Sequence, residues 1–190
     1  MSETSHNQIA VITGLTGVGK DFLTDRIVQN EKISVVNWGT ILGGLLEVDR
    51  DTMMATQNPT DITERQFTVC DMLINMQPVA VTCHTVRSQG MDIEYNLDLE
   101  EKLNPSVYIF LSAPGEVIHE RVASRNSSGA RNCQELSVGD IEKLQQTKRE
   151  RVASIAAHLN SQFFELDNLN ELVDANTAKL AEILRPIFQP

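Results

Sequence analysis

Residues 9–20 read IAVITGLTGVGK, and this stretch decides the fold. Its first five residues form a short apolar, β-branched run, which predicts a strand buried on both faces. Gly14 to Lys20 then match the G-x-x-x-x-G-K pattern of a phosphate-binding loop. Apolar residues recur at helical spacing after the loop, so we expect a helix to about Gln29. Strand, glycine loop and helix in this order are the context that the motif requires.

The residue types in this loop suit a polyphosphate. Glycines let successive backbone N–H groups point inward at phosphate oxygens, and the helix that follows adds the positive end of its dipole. Lys20 would reach the β- and γ-phosphates of ATP as a mobile charge, which makes it a catalytic candidate. The expected nucleotide-binding residues are Gly14, Thr16, Gly17, Val18, Gly19, Lys20, Asp21 and Phe22.

Asp21 stands where this loop ordinarily carries a Ser or Thr whose hydroxyl meets Mg²⁺. A carboxylate is a good ligand for a hard cation, so Asp21 is the candidate metal ligand. The expected cofactors are therefore ATP and Mg²⁺. The alternative interpretation is that Asp21 only stabilises the first turn of the helix.

The rest of the chain alternates between strand and helix patterns. Further strands are predicted at 33–36, 79–82, 107–111 and 163–166, with helices between them and a closing helix over 172–188. Such alternation implies right-handed crossovers and a parallel sheet. We expect an α/β, three-layer P-loop NTPase fold, with a central parallel five-stranded sheet and helices on both faces.

Two segments are interpreted as loops. The polar residues that end at Asn104-Pro105 are taken as a loop before the next strand. The Ser-, Gly- and Asn-rich stretch 126–132 is expected to be flexible. The whole chain, 1–190, is expected to form a single kinase domain with a small mobile lid at about 126–137.

Composition limits the partners. The chain has 190 residues and a formal net charge of −10, so its surface should repel nucleic-acid phosphates. No apolar run reaches the length of a membrane helix, and the polar start of the chain lacks signal-peptide features. The three cysteines have no paired metal-ligand spacing. We expect a cytoplasmic protein that binds small-molecule nucleotides, with neither nucleic acid nor membrane as a partner.

Several other segments carry a family pattern. They are 36–40 (VNWGT), 49–53 (DRDTM), 84–86 (HTV), Asn104-Pro105 and the arginine-containing stretch 121–131. Together with the phosphate loop, their order and spacing resemble the archaeal-type adenylate kinases, a branch of the P-loop nucleoside monophosphate kinases. The resemblance covers most of the chain. It implies transfer of a phosphoryl group from ATP to AMP, which yields two ADP.

The resemblance also implies roles for particular residues. Acceptor-binding helices would occupy about 37–77. The acceptor would be bound by Thr40, Arg50, His84 and Arg87. The lid region would contribute Arg121, Arg125 and Arg131, and of these Arg121 and Arg131 are the catalytic candidates beside Lys20. Arginine suits these tasks because its planar fork holds phosphate oxygens and offsets the charge of the transferring group.

One position departs from the family pattern. The family carries an Asp two residues before His84, where it organises the water shell of Mg²⁺, and this chain has Thr82. We therefore hypothesise that Asp21 takes over the ordering of the metal.

Three functions are compatible with the sequence. A monophosphate acceptor needs no general base, because its second pKa is about 6 and its oxygen is already mostly anionic at neutral pH. An alcohol acceptor, as in shikimate- or gluconate-type kinases, usually needs a carboxylate near its hydroxyl. The second strand is followed by Asn37-Trp38-Gly39-Thr40, which favours the nucleotide. A regulatory ATPase is the third interpretation, and the preferred base and the oligomeric state stay open.

Overall fold

The structure is a computed structural model that describes residues 6–31, 33–46, 59–82, 86–89, 91–128 and 136–189. The strands are β1 (Asn7–Gly14), β2 (Val35–Asn37), β3 (Val79–Thr82), β4 (Arg87–Gln89), β5 (Asp92–Glu94), β6 (Pro105–Ser112) and β7 (Gln162–Asp167). The helices are α1 (Lys20–Asn30), α2 (Trp38–Leu46), α3 (Pro59–Asn75), α4 (Leu97–Leu103), α5 (Gly115–Ser127), α6 (Val138–Leu159) and α7 (Val173–Phe188). A short 3₁₀ turn, Asn170–Leu172, precedes α7.

Five strands form one parallel sheet in the order β2-β3-β1-β6-β7. β1 lies in the centre, so the loop that follows it opens at the middle of the carboxyl edge. Ligands bind at this edge in open parallel sheets. The predicted α/β fold with a parallel five-stranded sheet is confirmed.

Side chains alternate across β1 and feed two core clusters. Ala10 and Ile12 pack into one cluster with residues of α1, α5 and α7. Ile9 and Val11 pack into the other with residues of α2, α3 and α4. Helix α6 contributes to both clusters, the first through residues near its start and the second through residues near its end. The expected helical layers on both faces are therefore present.

The predicted loop before Pro105 is wrong. A two-stranded antiparallel ladder, β4–β5, and the helix α4 occupy this part of the chain. The Asn96 side chain begins the helix by accepting hydrogen bonds from the backbone N–H groups of Asp98 and Leu99. Leu99 and Leu103, one turn apart, are buried. The high polarity of the segment concealed this cap and its short apolar stripe.

α2 begins at Trp38, directly after β2, and continues through Gly43 and Gly44. One further boundary differs from the prediction. α5 runs to Ser127, so the first residues of the expected flexible loop are helical. Residues 129–135, most of the predicted lid, lie outside the described residues. Within the described ranges, no helix combines the length and the apolar character needed to cross a membrane.

Cys70 provides a test of the packing between α3 and α4. Its thiol lies 3.8 Å from the Leu99 carbonyl oxygen and is buried. Burial raises the pKa of the Cys70 thiol to about 12, and the charge of Glu100 adds to the shift. Because the thiolate is the reactive form, we expect iodoacetamide at pH 8 to leave Cys70 unmodified in the native protein and to modify it after unfolding. Peptide mass spectrometry measures this, and native labelling at the unfolded rate would contradict the packing.

Candidate active site

The loop between β1 and α1 has the backbone shape that a phosphate-binding loop requires. The backbone N–H of Val18 donates to the Leu15 carbonyl across the turn, at 3.3 Å. Gly14, Gly17 and Gly19 have φ angles of 152°, 88° and 89°. These positive values are readily available to glycine and strained for other residues. The sequence motif therefore folds into the turn that it predicts.

Among the three loop glycines, Gly14 leaves the least room for a side chain. A Cβ atom there would lie 2.5 Å from the backbone oxygen of Leu111, on the neighbouring strand β6. We expect Gly14→Ala to lower the free energy of unfolding by about 3 kcal/mol, through strain and overpacking. Gly44→Ala is the matched control, since no atom lies within 4 Å of its added Cβ. Equal denaturation midpoints in urea for the two variants would contradict this account.

Lys20 begins α1 and is only 6% exposed. Its Nζ donates to the Gly14 carbonyl at 3.0 Å and to the Leu15 carbonyl at 2.9 Å. The ammonium group therefore lies against the loop's own backbone. This places a positive charge inside the loop, where the sequence predicts a polyphosphate.

Arg121 and Asn168 both bond to the backbone of the loop, at the Val18 carbonyl. The amide Nδ2 of Asn168 donates to the Val18 carbonyl at 2.7 Å. The Arg121 guanidinium donates to the same Val18 oxygen and to the Asn168 carbonyl, both at 3.2 Å. Arg121 was predicted as a lid residue, and the structure places it on α5 against the loop backbone. Sequence reasoning missed Asn168, although a polar residue directly after the last strand, β7, was a usable signal.

Arg121 is half-buried, and this affects its electrostatics. Burial, and after it the charge of Arg125, lower the pKa of the Arg121 guanidinium. The group still carries its charge near neutral pH, because arginine titrates far above this range. Lys20 and Arg121 are therefore two of the cationic side chains that contact the loop.

Other predicted nucleotide-binding residues are on the surface. Thr16 and Asp21 are exposed, and Asp21 lies in the first turn of α1. Phe22 is 54% exposed, and the Arg26 guanidinium lies 5.3 Å from the centre of its ring. These side chains are accessible to a ligand that approaches the loop.

The end of β2 carries an amide where an alcohol kinase would need an acid. The Oδ1 of Asn37 accepts hydrogen bonds from the backbone N–H of Thr40 at 3.1 Å and from its hydroxyl at 3.4 Å. Asn37 thus caps the first turn of α2. Trp38 is 2% exposed and lies in the core, which excludes it from stacking on a base in this conformation. Thr40, a predicted acceptor-binding residue, is exposed and uses its hydroxyl in this cap.

Thr82, at the end of β3, lies where the archaeal-type adenylate kinases carry an Asp, and it supplies no carboxylate. It is buried, and its hydroxyl donates to the Val36 carbonyl at 3.4 Å. Among the described residues, no cluster of three His, Cys, Asp or Glu side chains could hold a metal ion. Mg²⁺ in phosphoryl-transfer sites needs only one or two carboxylates, because phosphates and water complete its coordination. Asp21 meets that requirement.

Four predicted residues are not tested by the structure. Arg50, His84 and Arg131 lie outside the described residues. Arg87 begins β4, and its side chain is likewise outside them. Their predicted roles stay predictions.

Lys148 is a residue that sequence reasoning missed. It lies on α6, is 1% exposed, and its Nζ donates to the Gly14 carbonyl at 3.2 Å. Its neighbours one turn away, Leu144 and Val152, are buried. A lysine inside an apolar helical stripe was the available signal.

The fold is shared with two kinases and with a protein that was solved with a bound nucleotide. Shikimate kinase from Bacteroides thetaiotaomicron matches with a TM-score of 0.64 and 11% identity, over 93% of this chain and 98% of that one. A gluconokinase from Sinorhizobium meliloti 1021 matches with a TM-score of 0.52 and 18% identity, over 93% and 94%. The YorR protein from Bacillus subtilis, in complex with phosphorylated GDP, matches with a TM-score of 0.58 and 11% identity, over 93% and 95%.

Sequence comparisons add no closer relative: no protein-family model matches the chain, and no curated protein matches significantly. Identities this low establish the fold alone. The structural matches support a P-loop kinase fold and do not single out the archaeal-type adenylate kinases.

Proposed function

We propose that this chain transfers the γ-phosphoryl group of ATP to a small-molecule acceptor, with a nucleoside monophosphate as the favoured acceptor. The observation that carries the proposal is the buried Lys20 ammonium, which lies within 3.0 Å of two carbonyls of a glycine loop at the centre of the sheet edge. In phosphate loops a lysine in this position binds the β- and γ-phosphates. The similarity to several kinases of this fold supports the same activity.

Binding of the triphosphate would use the loop and the start of α1. Backbone N–H groups would surround the phosphates, and Lys20 would exchange its two carbonyl partners for phosphate oxygens. Asp21 would hold Mg²⁺, directly or through water. The ion supplies charge neutralisation on the phosphate oxygens when it is bound.

The transfer itself needs alignment more than acid–base chemistry. An acceptor oxygen attacks the γ-phosphorus, and the new P–O bond forms as the bond to the β–γ bridging oxygen breaks. ADP leaves with the electron pair of that bond. Lys20 offsets the charge of the migrating group, and the proposed lid residue Arg131 would add a second cation. Arg121 contributes by holding the Val18 carbonyl, and thus the shape of the loop.

The choice of acceptor rests on Asn37. An alcohol must lose a proton during attack, and a carboxylate at the end of β2 would accept it. Here that position holds a neutral amide whose oxygen already caps α2. A monophosphate brings its own anionic oxygen, so it needs positive charge instead of a base. We propose that Arg50, His84 and Arg87 supply this charge, and that AMP is the first acceptor to test.

The second candidate is an alcohol kinase. It is favoured by the fold matches to shikimate kinase and gluconokinase. This function would require a carboxylate from a segment outside the described residues, such as Glu47, Asp49 or Asp51.

One assay separates these candidates. The purified protein is incubated with Mg²⁺ and radiolabelled ATP in the presence of AMP, CMP, UMP, deoxynucleotides, shikimate, gluconate or water alone. We expect labelled nucleoside diphosphate to form at a rate far above hydrolysis. Labelled alcohol phosphate without labelled diphosphate would establish the second candidate. Release of phosphate at one rate with every acceptor would instead identify a regulatory ATPase and refute both kinase functions.

A further inference from the structure

Lys148 is almost completely buried, at 1% exposure, although it carries a long basic side chain. Lysines nearly always keep the ammonium group in water, because transfer of a charge into the interior is costly. Lys148 lies between Leu144 and Val152 on the inner face of α6, where the two core clusters meet. A lysine retained in such surroundings needs an electrostatic reason.

One of its contacts is with the start of the glycine loop. Lys148 Nζ lies 3.2 Å from the Gly14 carbonyl oxygen, and Lys20 Nζ lies 3.0 Å from the same atom. Two cationic donors therefore converge on one backbone oxygen at the start of the phosphate loop. Like charges this close repel more strongly in a buried site than in water. The arrangement favours departure of one donor when an anion arrives.

The helix that carries Lys148 is anchored to the sheet. The Gln145 side chain bonds both the N–H and the carbonyl of Ala113, at the end of β6. Arg149, the next residue along α6, pairs with Glu165 of β7. These contacts hold α6 against the edge of the sheet on both sides of Lys148. Lys20, by contrast, belongs to the loop that binds the ligand.

We propose that Lys148 is a positioning residue for nucleotide binding. It keeps the Gly14 carbonyl hydrogen-bonded when Lys20 leaves that oxygen for the β- and γ-phosphates. The inference rests on the proposed function, because it requires a polyphosphate ligand in the loop. It assigns Lys148 no direct contact with that ligand.

The test compares Lys148→Met with Lys143→Met, a matched loss of an exposed lysine on the same helix. Binding of Mg·ATP and of Mg·tripolyphosphate is measured by titration calorimetry, without an acceptor. Lys148→Met loses a charged hydrogen bond in the bound state, so the Kd of each ligand should rise about tenfold. Lys143→Met should bind both as the wild type does. Lys148→Gln keeps a neutral hydrogen-bond donor, so it should lose less affinity than Lys148→Met. It also provides a second variant if Lys148→Met does not fold.

Thermal unfolding distinguishes positioning from a merely structural role. In the ligand-free protein Lys20 still donates to Gly14, so the Tm of the Lys148 variants should stay within about 4 °C of wild type. A large fall in the ligand-free Tm of both variants would overturn the positioning role. An unchanged Kd for ATP in Lys148→Met would overturn it as well. So would weaker binding of ATP together with unchanged binding of tripolyphosphate.

Failure of the proposed function gives a different result. Wild-type protein that is folded and binds neither Mg·ATP nor Mg·tripolyphosphate would refute the proposed function and this inference together. Wild-type binding with an unaffected Lys148→Met variant would refute the inference alone.

Discussion

Replacement of Lys20 by Met should reduce kcat/KM for phosphoryl transfer on the order of 10²- to 10³-fold, the usual cost of losing one preorganised donor to a developing charge. Met preserves the length of the side chain and removes the ammonium group that now bonds Gly14 and Leu15. The loss should appear in kcat as well as in KM, because charge on the γ-phosphate oxygens changes most in the transition state. The rate is measured with the acceptor that the panel identifies.

Lys143→Met controls for the loss of one positive charge in a protein of net charge −10. It removes an exposed lysine from α6 and should leave turnover unchanged. Turnover of Lys20→Met within tenfold of wild type would show that the loop lysine does not act on the transferring group. The proposed function would then lose its main support.

Replacement of Asp21 by Ala should abolish Mg²⁺-dependent turnover, with a loss on the order of 10²-fold or more at millimolar Mg²⁺. Asp21 is exposed in the first turn of α1, whereas the Thr82 hydroxyl is engaged with Val36. Among the described residues, Asp21 is therefore the proposed metal-binding carboxylate. Turnover is measured across a titration of Mg²⁺, and the variant should need a higher concentration for any residual rate.

Two variants control this experiment. Asp25→Ala removes an exposed carboxylate one turn further along α1 and should behave as wild type. Asp21→Ser places a hydroxyl where phosphate loops ordinarily have one and should recover part of the rate. Unchanged activity in Asp21→Ala would refute the metal role and leave Asp21 as a stabiliser of the helix terminus.

Much of the fold could be predicted from the chain alone. The run before Gly14 is buried on both faces, and β1 extends only a few residues beyond its predicted start. The long helix α6 and the closing helix α7 follow their apolar spacing closely. The α4 segment could not be recognised in the same way. It is short and polar. Its two leucines, Leu99 and Leu103, can be recognised as core residues only from their packing with α3 and the sheet.

Some residues of the candidate site could be predicted from the sequence, and others could not. The glycine loop and Lys20 were predictable, because neighbouring residues determine a tight turn and the start of a helix. Arg121 was predicted in the lid by resemblance, and the structure instead shows its guanidinium bonded to the Val18 carbonyl. Local pattern does not distinguish whether Trp38 stacks on a base or lies in the core, and only packing of α2 against the sheet selects burial.

The amino-acid sequence by itself determined a glycine loop with the phosphate-binding pattern, between a buried strand and a helix, and the parallel sheet that contains them. These features depend on residues that are close along the chain. Only the tertiary structure decided which distant groups surround that loop. Lys148 meets Gly14 from 134 positions away and Asn168 meets Val18 from 150. The strand order places β6 beside β1 and β7 beside β6, and α6 contributes residues to both core clusters, so these contacts arise from topology that local patterns do not encode.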